Sequence, residues 1–405
     1  MVSFGLPQTA KTAALALVLA AVVVPCAAFS QSVFEPVAKD ERQAQIVATI
    51  RARQTQDGPF SPDLVGPLTA LGLLYSEEGD HDLAAAANER AMQVLRANYG
   101  LYAFEQAPLI RQSIHNEKAR GASAAAWNLE RELLNVISRH PDDLRAVPLL
   151  REVADTRMEL LRRFTAGEFP PEIFLGCFYR NDIGSCTAGS RGVAKRSILW
   201  AAQRNYLAAI RVLVRQGLFS SEELKELEMI LLRSSAAHDN YGIGAQSLRR
   251  LLTYDAANAE PALNQLESLV QIADWELLYK KYGAALDIYE QAHRQLIDVG
   301  AAQPEIDMIF SPEIPAVLPV FLPNPLVSVE TPASTGYIDV AFRVTKFGRS
   351  RQVEILDSSK NAPRAAKRRL VRQIARTRFR PRLTDDGFAT TSPIVVRYYL
   401  NEQAH

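Results

Sequence analysis

The chain has 405 residues, a formal net charge of +1 and 48% hydrophobic residues. That length calls for two or three domains, and that composition supports a packed core and excludes a disordered chain. A net charge so near zero excludes a global attraction to nucleic acid or acidic lipid. Charge is nonetheless segregated: residues 336–405 hold 15 Lys and Arg against 6 Asp and Glu, so the rest is acidic. An acidic body therefore carries a basic tail.

The N-terminus comes first. Lys11 precedes TAALALVLAAVVVPCAAF, an uncharged apolar run, and Ala28-Phe29-Ser30 offers small residues before a cut ahead of Gln31. This is the pattern of a secretory signal over residues 1–30. Two alternatives stand beside it. The run is long enough to span a bilayer uncleaved, and Cys26 is a candidate for lipid modification, although Pro25 sits where such sites carry a small residue. Export implies a periplasmic location, with anchorage to the inner membrane if the segment is retained.

Removal of the signal leaves Cys177 and Cys186, which flank a turn-rich segment, CFYRNDIGSC. In an oxidising compartment two cysteines closing so short a loop are expected to form a disulfide. Free thiols are the alternative. A zinc site lacks its remaining ligands, since no histidine lies nearby.

Residues 31–310 read as helices, with apolar residues at three- and four-residue spacing and abundant Ala, Leu, Glu and Arg. One segment, Leu68 to Leu95, places Leu68, Leu71, Gly72, Tyr75, Gly79, Ala84 and Ala91 at the spacings of a tetratricopeptide repeat, which it resembles. A second, Leu269 to Leu296, fits more loosely: Ala273, Ala285, Tyr289 and Ala292 hold corresponding places, but Glu276 replaces the tyrosine. Between them, residues 125–161 and 200–232 read as two further helix pairs, with loops at 97–130 and 165–193. The fold expected is mainly α, an irregular tetratricopeptide-like α-solenoid; a non-repeat helical domain satisfies the same spacing. A solenoid presents a concave face suited to a protein or peptide, but the sequence does not select its residues.

Residues 311–335 contain six prolines and predict an extended strap. Val317, Leu318, Val320, Phe321 and Leu322 are too apolar for a free linker, so part of it should lie on a domain.

The tail, residues 336–405, predicts a small α+β domain of ββαβ order. Ile338, Val340, Phe342 and Val344 share one face of a first strand, and Lys346-Phe347-Gly348 makes a turn. Val353 and Ile355 mark a second strand with a buried face. A helix follows Pro363, with Ala366, Leu370 and Ile374 inward and a basic face of Arg364, Lys367, Arg368, Arg372 and Arg376 outward. A last strand sets Ile394, Val396, Tyr398 and Leu400 on one face, with Arg397 and Tyr399 on the other.

The tail resembles the C-terminal domain of TonB-family proteins. The likeness rests on Gly336 through Val344, Gly348, Val353 through Ser359, and Arg378-Phe379-Arg380-Pro381. It implies a periplasmic domain that binds outer-membrane receptor peptides by strand addition, with the last strand, Ile394 to Leu400, as the edge. The N-terminal apolar segment lacks the histidine of an energy-transducing TonB, and the strap is short. The reading is therefore an interaction or scaffold protein of the cell envelope. A TonB-type energy transducer with an uncleaved anchor is the first alternative, and binding of an anionic polymer or lipid by the basic helix the second.

No catalytic residue, cofactor or metal site is expected. The sequence has no Gly-x-Ser-x-Gly elbow, His-Glu-x-x-His, P-loop or dinucleotide glycine pattern. His238-Asp239-Asn240 looks the most chemical and reads as a turn or cap. Asp142-Asp143, Glu222-Glu223 and Asp385-Asp386 read as solvated charges. Nucleic acid is not an expected partner. The basic tail is expected to dock on the acidic body through a salt-weakened contact. The sequence names no oligomeric state.

Overall fold

The structure is a computed structural model. It describes residues 36, 38–168, 191–219, 221–258, 263–321 and 334–401. The signal segment, Cys177 and Cys186, and most of the strap after 321 lie outside them. The chain forms two compact units, Met1–Asn98 and Tyr99–His405.

In the first unit, helix α1 (Glu41–Asp57) begins at Asp40, whose carboxylate accepts from the Gln43 backbone NH at 2.7 Å. This satisfies one orphan donor of the first turn. Helices α2 (Val65–Glu77) and α3 (His81–Tyr99) follow. They bury Leu68, Leu71, Gly72, Tyr75, Ala84 and Ala91, the residues that carry the repeat spacing. Gly79, at φ 83, closes the connection in a conformation that favours glycine.

In the second unit the described helices are α4 (Ala107–Ala119), α5 (Ser123–Ser138), α6 (Ala146–Thr165), α7 (Arg191–Arg215), α8 (Glu222–Ala237), α9 (Tyr241–Asn258), α10 (Leu263–Leu278), α11 (Tyr282–Asp298) and the short α12 (Gln303–Phe310). They pack in pairs: α4 with α5, α6 with α7, α8 with α9, and α10 with α11. This corrects two sequence expectations. Residues 97–130 are mostly helical, because Pro108 stands in the first turn of α4, where its missing NH costs nothing. The pairing in the middle of the chain is also displaced by one helix. The segment 125–161 supplies α5 and α6, and 200–232 supplies α7 and α8, which belong to different pairs. Pairs beginning at Ala107 and Ala146, and again at Glu222 and Leu263, are spaced more widely than the 34 residues of a tetratricopeptide unit. The eroded signatures reflect that longer period.

The α8–α9 turn shows why close approach matters. A Cβ on Gly244 would fall 2.2 Å from the Trp275 ring, so only glycine lets α9 meet α10 there. His238 ends α8, and Asp239 adopts a φ of 58. The Asn240 side chain accepts from Ile243 N and donates to Gln203 Oε1 at 3.1 Å. The trio is a turn braced to α7.

The tail carries strands β2 (Ser334–Val344) and β3 (Ser350–Ser358), helix α13 (Arg364–Arg376) and the last strand β7 (Ile394–Asn401). Together the strands form one antiparallel sheet in the order β3-β2-β7. Ile338, Val340, Phe342 and Val344 are all buried, packed with Ile374, Phe379, Ile394 and Tyr398. Three short strands interrupt the simple succession: β4 (Arg378–Phe379), β5 (Arg382–Thr384) and β6 (Gly387–Ala389). Alternation cannot reveal strands of two or three residues. In β3, Val353 is half-buried, but Ile355 and Leu356 remain exposed, contrary to the buried face expected. Two register shifts explain this. Leu356 falls between the pairs Asp339 with Asp357 and Val340 with Ile355, and Gln352 adopts a φ of 52. Bulges of this kind turn side chains off the pleat.

The strap does lie on the tail. Strand β1 (Val317–Leu318) pairs antiparallel with β4, and Arg380 N donates to Ala316 O at 2.8 Å.

Burial sets a pH limit. Burial pushes the Tyr398 phenol up to about 12. Tyr279 reaches about 12 through burial, aided by the Asp239 charge. Burial and the Asp274 carboxylate raise Tyr289 as well. An unfolded tyrosine titrates near pH 10, so this stabilisation is complete below that pH. Above it the unfolded chain releases protons that the folded one keeps. The urea midpoint should fall as pH rises from about 10 to 12, and Tyr398→Phe should flatten that fall.

Candidate interaction surfaces

The last strand lies at the edge of the sheet, as β3 does on the other side. The two edges differ. Strand β3 is broken by its two register shifts, whereas β7 pairs with β2 in unbroken register from Gly336 opposite Leu400 to Phe342 opposite Ile394. Among the described residues no strand covers the outer side of β7. Ile394 and Tyr398 face the core, Val396 and Leu400 are half-buried beside them, and Val395 is 57% exposed on the other face.

On that outer face Arg397 makes a two-pronged contact with Asp339, at 2.8 and 2.7 Å, and its guanidinium lies 4.2 Å over the Tyr337 ring. The Tyr337 hydroxyl donates to Asp357 at 2.8 Å. Polar contacts thus cross all three strands. Hydrogen bonding to Arg397 lowers the Asp339 pKa, and Asp339 raises that of Arg397. The pair is open to solvent and contributes little stability. A peptide on β7 would meet Arg397 already held in place, beside the half-buried Tyr399.

Helix α13 presents Arg364, Arg368, Arg369, Arg372 and Arg376 to solvent, with Lys367 half-exposed. Its apolar residues Ala366, Leu370 and Ile374 pack on the sheet. Arg369 joins Arg372, Gln373, Arg376 and Thr377 around a shallow hollow of about 440 Å³.

The tail docks on the last helix pair, but not through α13. Leu318 and Leu383 enter a core with Leu277, Tyr289, Leu296 and Phe310. Phe388 meets the Tyr289 ring edge-on at 6.3 Å. Within this apolar contact Arg380 reaches Asp274 through two bonds, 3.0 and 2.6 Å, and the Tyr289 hydroxyl donates to the same carboxylate at 2.6 Å. At the margin Arg349 donates to the Tyr282 hydroxyl at 2.9 Å. The β2–β3 turn fits equally closely. Gly348 has φ 65, and a Cβ there would lie 2.3 Å from the Phe379 carbonyl and 2.9 Å from Leu277. The expected salt-weakened contact is corrected: the tail is held by buried groups, which salt screens poorly.

A second hollow, of about 510 Å³, opens between α4, α5 and α6. At its floor Glu130 meets Arg157 at 3.1 Å and Lys118 at 3.0 Å, and Arg157 lies 4.9 Å from the Trp127 ring. No spacing in the sequence signals this cluster, because its members come from three helices.

No family model matches the chain, and no curated protein does. Among solved structures, BtubC (BKLC) from P. vanneervenii is similar at 13% identity and a TM-score of 0.32, over 71% of this chain and 94% of that one. A putative kinesin light chain from Podosopora anserina, with nearly identical TPR-like repeats, is similar at 11% identity and a TM-score of 0.30, over 60% and 99%. No helix among the described residues is long and apolar enough to cross a membrane.

Proposed function

We propose that this chain is a non-enzymatic, exported interaction protein of the cell envelope. Its helix pairs form a scaffold that binds a protein or peptide, and its tail captures an envelope protein by strand addition along β7. One observation carries this reading: β7 is a regular edge with no strand on its outer side among the described residues, while β3 is bulged. Unpaired backbone groups on a regular edge are a template for an incoming strand. Docking of the tail on α10 and α11 supports a scaffold over a long-reach energy transducer, since it holds the tail close to its own helical body.

The test is a photo-crosslinking residue at Tyr399 in the native host. Capture of an outer-membrane or periplasmic protein, with the crosslink mapped to an extended segment of it, is the expected result. Crosslinks confined to the chain's own helices would refute the strand-addition reading.

A further inference from the structure

We propose that the outer face of α13 is a docking site for an anionic phospholipid surface, a role separate from strand addition on β7. The helix carries five arginines and one lysine in 13 residues and no acid. Arg364, Arg368, Arg372 and Arg376 stand four residues apart, so each repels the next. Arg364 and Lys367 also sit near the positive end of the helix dipole. Nothing in the described chain offsets this. Several surface arginines elsewhere do find carboxylates: Arg145 with Asp143 at 2.6 Å, Arg151 with Glu226 at 2.6 Å, Arg162 with Glu159 at 2.5 Å. Among the described residues none of the six α13 cations has such a partner.

The tail's own docking does not use this face either; Arg380 and Arg349 serve there. An anionic surface outside the chain would supply the counter-charge. Guanidinium forks match phosphate oxygens two at a time. A helix of 13 residues lays them along about 20 Å, a row suited to several headgroups of one leaflet. Strand β3, beside which α13 packs, leaves Leu356 57% and Ile355 37% exposed. Exposed apolar side chains on the strand that packs against a basic helix suit the boundary between headgroups and acyl chains. A soluble polyanion offers them nothing.

The experiment is co-sedimentation of the full chain with phosphatidylcholine vesicles, with and without phosphatidylglycerol. Binding only to the phosphatidylglycerol vesicles, weakened by salt, is expected. The triple variant R369Q/R372Q/R376Q should lose about 100-fold in partitioning, at about fivefold per charge, while R162Q on α6 changes nothing. R372Q alone, expected to lose about fivefold, gives a readout should the triple variant unfold. Equal binding to both vesicle types, an unchanged triple variant, or binding to soluble dextran sulfate as tight as to vesicles would each overturn the proposal.

Discussion

Asp274→Ala should destabilise the second unit by about 3 kcal/mol, the usual cost of breaking a buried ion pair by removing one partner. It should also loosen the tail from the last helix pair. Asp274 has only 4% of its side chain exposed and Arg380 13%, so the mutation strands a guanidinium within an apolar contact. It also removes the acceptor of the Tyr289 hydroxyl, which is fully buried. The double variant Asp274→Leu/Arg380→Met should recover most of the loss, because the contact is otherwise apolar and well packed. Denaturant melts give the free energies. Hydrogen exchange at β4 and β5 reports the loosening, and the single variant should raise exchange there before it does so in α4 and α5. A loss below about 1 kcal/mol would mean that Leu318, Leu383 and Phe388 hold the tail alone.

The sequence and the structure agree where a single periodicity decides a residue's position. The alternation at Ile338, Val340, Phe342 and Val344 placed four side chains in one core, and the helical spacing in 68–95 located α2 and α3. The apolar strap residues Val317 and Leu318 signalled contact with a domain, and they supply β1. Where two distant segments meet, periodicity is silent. Arg380 was visible within Arg378-Phe379-Arg380-Pro381 as part of a motif. Its partner Asp274 lies 106 residues away on α10, and nothing local links them. Glu276 read as a departure from the repeat. The structure shows it buried and accepting from the Tyr241 hydroxyl at 2.7 Å, so a contact between neighbouring helices replaces the repeat's tyrosine. The bulges of β3 were hidden because a bulge changes which face a residue takes without changing composition. They matter most for function, since they distinguish the two edges of the sheet.

The cluster under the α4–α6 hollow sets the second large effect. Glu130 joins three helices: Lys118 from α4 and Arg157 from α6 both reach it on α5. Arg157 has 1% of its side chain exposed and Glu130 has 3%, and Arg157 also donates to the Val153 carbonyl at 2.9 Å. Glu130→Leu would leave Arg157 buried without its carboxylate and should cost about 3 to 5 kcal/mol. Arg157→Met in the same background should return most of it, since Trp127 and Leu160 offer apolar neighbours in the hollow. Lys118→Met should cost far less, because Lys118 is 40% exposed and water replaces its contact. This ranking separates a structural brace from a ligand site. A brace predicts that the Glu130→Leu/Arg157→Met variant folds and still gives the Tyr399 crosslinks. Loss of a helical-body partner from that folded variant would instead identify the hollow as the place where the partner's charged group is read.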